Sequence, residues 1–314
     1  MSVVLFHRNF QRLQGGHLKV FHYYEHVRSS ISHEARIRFT ADSVWDASNP
    51  WFALGESVRN PRDQPPADVM FLAGMDWKRL APEECAPALP IINLIQYMPR
   101  ARREGPMSQF LTRPAIRICV SPEIQEALEA GAPVAGPLLT VPIGVDLERL
   151  PPPRPPEHRD IDCVVLAVKD PPLGQRVAGH LGAAGHRVLL VAEPLPRSEL
   201  LDAMARARVT VHVPVMREGA YLPALESMAL GAAVVCPDCV GNRSFCRDGD
   251  TCLVPARKER ALVKATRTLL GAAPEELEPM LSRAREETMR HTLAAERESF
   301  LEILDRAQEL WAAR

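Results

Sequence analysis

The sequence predicts an α/β protein built from two doubly wound domains, and three observations carry that reading. Apolar, β-branched runs alternate with helical stretches along the chain, those runs are continuous rather than two-periodic, and a proline-rich connector divides the chain near its middle. Continuous apolar strands separated by helices belong to parallel sheets covered on both faces. The 314 residues also suit two domains of about 150 residues each.

Taken in order, residues 3–6, 35–39, 68–72, 91–95, 116–120 and 138–141 read as short strands, with helices at 18–28 and 122–130. The run Pro151-Pro152-Pro153-Arg154-Pro155-Pro156 fits neither a helix interior nor a sheet centre. It reads as a stiff connector that sets the domains at 1–150 and 151–314. Beyond it, strands at 161–168, 186–192, 209–215 and 232–236, and a short fifth at 251–254, alternate with helices at 173–184, 198–208 and 222–230. Ser198 reads as a helix N-cap, and Gly185 and Gly231 as helix ends. From residue 259 onward the chain reads as helical. Phe300, Leu301, Leu304, Ala307, Gln308 and Trp311 form an amphipathic stripe there, through which the last helix can pack back on the first domain. Ligands of open parallel sheets bind beyond the carboxyl ends of the strands, so two such domains are expected to face across a cleft.

Composition narrows the function classes. With 46% hydrophobic and 25% charged residues and a formal net charge of -1, nothing global points to nucleic acid or membrane as the main partner. The local cluster Arg100, Arg102 and Arg103 reads as solvated surface, with a peripheral membrane contact as the alternative. No run approaches the roughly 20 apolar residues of a membrane span, and residues 3–6 are too short for a secretory core. A cytoplasmic protein is expected, with the inner face of the membrane as a second placement. Seven cysteines give no disulfide framework. Cys236 and Cys239 have the spacing of half a zinc site, but five residues separate Cys246 from Cys252, and buried thiols are the preferred reading. Gly179, Gly182 and Gly185 space as G-x-x-G-x-x-G but end a helix instead of following a strand, so they read as packing and capping glycines.

The chemistry concentrates in residues 209–231, VTVHVPVMREGAYLPALESMALG. An apolar strand runs into a loop holding Glu218 and Gly219, and a helix follows. Glycine allows close backbone approach, and a helix N-terminus offers unpaired N–H groups, which together suit a diphosphate. Glu226, just inside the helix, can accept hydrogen bonds from ribose hydroxyls. In isolation each acid also reads as an ordinary surface carboxylate.

This run, with Met228, Ala229 and Gly231, resembles the Glu-x7-Glu signature of glycosyltransferase family 4 (glycosyl transferases group 1), retaining enzymes of the GT-B type with two Rossmann-like domains. The likeness extends through 233–236, Gly241-Asn242, Arg247-Asp248-Gly249 and 252–254, and back to 120–122, 141–146 and Gly15-Gly16. It implies a sugar moved from a nucleoside-diphosphate sugar to a hydroxyl of a glycan, lipid-linked glycan or small molecule, with no metal and no further cofactor. Glu218 would lie against the donor sugar. The N–H groups of Gly219, Ala220 and Tyr221 would meet sugar or diphosphate, and Glu226 the ribose. Gly15 and Gly16 would form a loop closing over the diphosphate. Three positions depart from the family. Lys169 takes the first place of a basic pair, while Leu173 sits near the second, for which Arg176 is the candidate substitute. Gln96 replaces a histidine facing the donor sugar, and Ser244 replaces a glutamate. Two rival readings stay open on the same scaffold, a nucleotide-sugar 2-epimerase and a non-catalytic sugar-nucleotide-binding subunit. The aromatic pair Trp45 and Trp51, in the acceptor-side region 45–60, is a candidate sugar platform with local packing as the alternative.

Overall fold

A computed structural model describes residues 1–12, 15–59, 66–81, 88–97, 108–131 and 133–313. The chain divides into two units, Met1–Pro142 with Ala294–Arg314, and Ile143–Leu293. The basic cluster at 100–103 lies outside the described residues.

The first unit carries a six-stranded parallel sheet of β1 (Ser2–Arg8), β2 (His33–Phe39), β3 (Val69–Ala73), β4 (Ile91–Ile95), β5 (Ile116–Cys119) and β6 (Leu138–Thr140). The strand order is β2-β1-β3-β4-β5-β6. It steps outward from the first two strands in opposite directions, so the topological switch point lies between β1 and β3. Strands β3, β4 and β5 are buried along their whole length; β3 is apolar throughout, while in β4 and β5 the buried Asn93 side-chain oxygen accepts from Arg117. Helices α1 (Gly15–Arg28), α2 (Glu56–Arg59), α3 (Ser108–Leu111) and α4 (Pro122–Gly131) belong to the same unit. Trp51 is fully buried against Phe21, Tyr24 and Phe39, and Trp45 packs on Phe39 and Phe52. Both tryptophans pack within their own unit, and Trp51, with no exposed face, is not a sugar platform; Trp45 is half-buried.

The second unit has a four-stranded parallel sheet, β7 (Ile161–Leu166), β8 (Val188–Val191), β9 (Ala207–His212) and β10 (Ala233–Val235), in the order β10-β9-β7-β8. Its helices are α5 (Pro171–Ala183), α6 (Arg197–Arg206), α7 (Leu222–Ala229), α8 (Glu259–Gly271) and α9 (Pro274–Met289). One apolar cluster joins the sheet to α5 and α8, and another joins it to α6. Gly185 and Gly231 take φ of 88° and 75° at the ends of α5 and α7, where the left-handed turn favours glycine. Gly179 and Gly182 lie inside α5, and a side chain there would meet nothing; they are not packing glycines.

Three sequence expectations change here. The expected strand at 251–254 reduces to isolated bridges, Val235 with Leu253 and Asp248 with Cys252. Ser198 lies within α6, whose N-cap is the extended Pro196 with no side-chain cap. The proline run at 151–156 lies inside the second unit rather than between the two. Val145 already donates to the His291 carbonyl before the prolines begin, and the Arg159 guanidinium then binds the carbonyls of Arg154, Ala207 and Leu230.

Helices α10 (Leu293–Asp305) and α11 (Ala307–Ala312) complete the first unit. Phe300 stacks edge-on to Tyr23 of α1 at 4.6 Å and meets Phe71 of β3 at 5.8 Å. Beside it the fully buried Glu296 carboxylate accepts from Lys19 Nζ at 2.8 and 3.1 Å and from His26 Nε2 at 2.9 Å.

Candidate active site

In the second unit, β9 ends at His212, and the chain crosses residues 213–221 before α7 begins. The turn 240–242 holds that crossing. Val240 N–H donates to the Met216 carbonyl at 3.0 Å, and Tyr221 N–H to the Gly241 carbonyl at 2.9 Å. Gly241 is pressed so closely on the loop that a Cβ there would stand 2.6 Å from Ala220 N and 2.7 Å from the Glu218 carbonyl oxygen. Tyr221 N–H is therefore spent on the protein, a correction to its expected ligand role. The N–H groups of Gly219, which is buried, and Ala220 make no hydrogen bond among the described residues.

Glu218 is held mostly out of solvent, its side chain 18% exposed, and Lys169 Nζ stands 3.8 Å from its Oε1. That oxygen is buried and receives no hydrogen bond among the described residues. A desolvated carboxylate oxygen without a donor is costly, and sugar hydroxyls are natural donors for it. Lys169 follows β7 and Glu218 follows β9, so adjacent parallel strands bring the two expected partners together at their carboxyl ends.

Arg176 is placed elsewhere. Its Nε donates to Glu259 at 2.8 Å, with His180 on the same carboxylate. Leu173 is buried in the core, and at Gly174 a Cβ would fall 2.1 Å from the Cβ of Ala167, so that turn has no room for a long cation. Another arginine meets the strand ends: Arg257 binds Asp170, next to Lys169, at 2.8 Å and donates to the Pro214 carbonyl after β9 at 2.9 Å. The sequence offered no local signal for it beyond a basic residue two positions before a helix.

Glu226 is 2% exposed within α7 and accepts from Arg197, at the start of α6, at 2.7 Å. Arg197 was not among the expected residues. The Tyr221 ring sits edge-on to His212 at 5.5 Å and is buried, which raises its hydroxyl pKa. Burial lowers the His212 pKa to about 3, so this ring stays neutral beside Thr210 and Ser227.

In the first unit, Gly15 and Gly16 are not a free loop but the first residues of α1, both exposed. Gln96, past the end of β4, donates to the Gly16 carbonyl at 3.2 Å. Both line a cavity of about 430 Å³, together with Arg8, His17, Asp76 and Lys78, at the carboxyl ends of β1, β3 and β4.

Cys236, Cys239, Cys246 and Cys252 are all buried and unbridged. No group of three or more His, Cys, Asp or Glu among the described residues could hold a metal ion. No helix among them is long and apolar enough to cross a membrane.

Residues 156–272 match the family model of the glycosyl transferases group 1. No curated protein matches the chain. Among solved structures, the sucrose-phosphate synthase of Thermosynechococcus elongatus superposes with a TM-score of 0.69 at 12% identity, covering 100% of both chains. HepE of Anabaena, in complex with UDP and glucose, gives 0.68 at 12% identity over 97% of this chain and 100% of its own. The fold is of the GT-B type. A glycosyltransferase from Rickettsia africae gives 0.66 at 10% identity over 98% of each chain.

Proposed function

We propose that this chain is a retaining glycosyltransferase that moves a sugar from a nucleoside-diphosphate sugar to a hydroxyl acceptor. The observation that carries the reading is Glu218, whose buried carboxylate oxygen pairs with Lys169 at 3.8 Å at the carboxyl ends of β7 and β9 and receives no hydrogen bond among the described residues. The match of residues 156–272 to a glycosyltransferase family model supports it, as do HepE structures holding UDP-glucose, or UDP with glucose.

In this reading Glu218 takes the donor-sugar hydroxyls and offsets positive charge near the anomeric carbon. Gly219 and Ala220 N–H groups meet the sugar or diphosphate. Lys169 and Arg257 balance the charge that grows on the leaving diphosphate, the largest electrostatic demand of the reaction, and no metal is required. Glu226 receives the ribose hydroxyls once Arg197 yields or shares it. The bond from the anomeric carbon to the phosphate oxygen breaks as the acceptor oxygen joins the same face. The acceptor proton passes to the departing phosphate, so no protein nucleophile is used. The acceptor is a glycan, lipid-linked glycan or small molecule.

Replacing Glu218 by alanine is expected to lower transfer about a hundredfold, on the scale of losing one preorganised charge-stabilising group, with the melting temperature held. NMR of the product made by the wild-type protein should show the donor's anomeric configuration kept. Undiminished transfer by E218A, or an inverted product, would remove the proposal.

A further inference from the structure

The first-unit cavity holds a chain of polar groups that the reaction above does not use. Asp76, 96% enclosed, turns both carboxylate oxygens inward. They take Asn9 N–H at 3.1 Å, Ala73 N–H at 3.2 Å and the Arg8 guanidinium. Arg8, only 3% exposed, uses its other terminal nitrogen on His17 Nδ1 at 2.7 Å, while its Nε is buried with no partner among the described residues. A guanidinium only donates. His17 Nδ1 must therefore accept, and the proton of the neutral ring must sit on Nε2.

We infer that Asp76, Arg8 and His17 form a clamp that fixes His17 as a neutral Nε2–H donor toward a substrate oxygen in the cavity, and that this oxygen belongs to an anionic phosphate group. Nε2 makes no hydrogen bond among the described residues, and Phe10 packs edge-on to the ring at 5.1 Å to hold its plane. Among the described residues, the charged groups facing the cavity are Arg8, Lys78 and Arg79, with Asp76 as the acid. Asp76 is spent on Arg8 and the backbone, and Arg79 is shared with Asp42, so the exposed side offers N–H donors and positive charge. Burial and the Arg8 charge lower the His17 pKa to about 4, in keeping with a ring that donates at neutral pH and does not accept a proton. Arg8 and Asp76 are positioning residues, and the clamp stands whether or not the second unit takes a nucleotide sugar.

The test is two-bond ¹H–¹⁵N NMR of the wild-type imidazoles, with His17 assigned by comparison with H17Q. The expected result is a pure Nε2–H tautomer from pH 5.5 to 8, with no titration near 6.5, and a shift of the His17 signals on adding inorganic phosphate. H17F should bind phosphate at least about tenfold more weakly, while H17Q, which keeps an N–H donor, stays within a few-fold. An Nδ1–H tautomer or a midpoint near 6.5 overturns the clamp. Phosphate that leaves the His17 signals unmoved overturns the ligand assignment.

Discussion

Gly241→Ala is expected to weaken donor binding at least tenfold while leaving most of the fold intact. The added methyl would stand within 2.7 Å of Ala220 N, Gly219 C and the Glu218 carbonyl oxygen, and all three are backbone atoms that cannot rotate aside. Relief comes only by moving the 218–220 loop away from the 240–242 turn, breaking the bond from Tyr221 N–H to the Gly241 carbonyl. Overpacking of this kind costs about 1–3 kcal/mol, and roughly 1.4 kcal/mol is a factor of ten in affinity. Gly179→Ala is the control. Its methyl meets nothing, and alanine in a helix interior should leave binding unchanged and raise stability by about 0.5–1 kcal/mol. Calorimetry on both variants checks the pair. Equal donor affinities would mean that the pinned loop is not the donor seat.

Glu296→Ala is expected to cost about 3–5 kcal/mol, because it breaks a buried ion pair by removing the carboxylate that Lys19 and His26 share. That is a large share of a typical domain stability of about 5–15 kcal/mol. Replacing both partners by apolar residues, as in Lys19→Met with Glu296→Leu, should recover much of the loss. The group also sets a pH dependence. Burial alone would raise the Glu296 pKa, but the Lys19 charge and the hydrogen bonds from His26 and Lys19 outweigh it and hold the carboxyl below its ordinary value. An acid with a depressed folded pKa contributes stability that is present above its unfolded value and lost as pH falls through its folded one. Urea unfolding should therefore show the gap between wild type and E296A narrowing once the pH falls below the ordinary carboxylate range. A constant gap would contradict the assignment.

Much of this fold is legible in the sequence because its strands are short, apolar and bounded by breakers. The run at 91–95 is β4 to the residue, since five apolar or buried positions end at Gln96. Helix α7 ends where Gly231 permits a left-handed turn. Local pattern fails where the deciding partner is distant. β9 begins at Ala207 with no loop after α6, a junction without turn residues. Residues 251–254 have a strand's composition, yet among the described residues they form isolated bridges, Leu253 with Val235 and Cys252 with Asp248.

The site divides in the same way. The pairing of Glu218 with Lys169 follows from strand alternation, because both lie just beyond adjacent parallel strands. The second cation does not, because Arg257 reaches Asp170 across 87 positions. Arg197 meets Glu226 across 29, and Gly241 matters only through the loop it presses on. Arg176 was the natural choice by spacing, but Glu259 at the start of α8 takes it first.

Calorimetric titration of the wild-type protein with a panel of nucleoside-diphosphate sugars and the free nucleoside diphosphates tests whether the second unit seats a sugar donor. One donor should bind at a single site, its own nucleoside diphosphate should compete, and K169A and R257A should each weaken it. A donor at about a hundred times its Kd should also add roughly 2.7 kcal/mol to stability. If no nucleotide sugar or nucleoside diphosphate binds, or if binding ignores Lys169, Arg257 and Glu218 alike, the donor seat assigned here is contradicted.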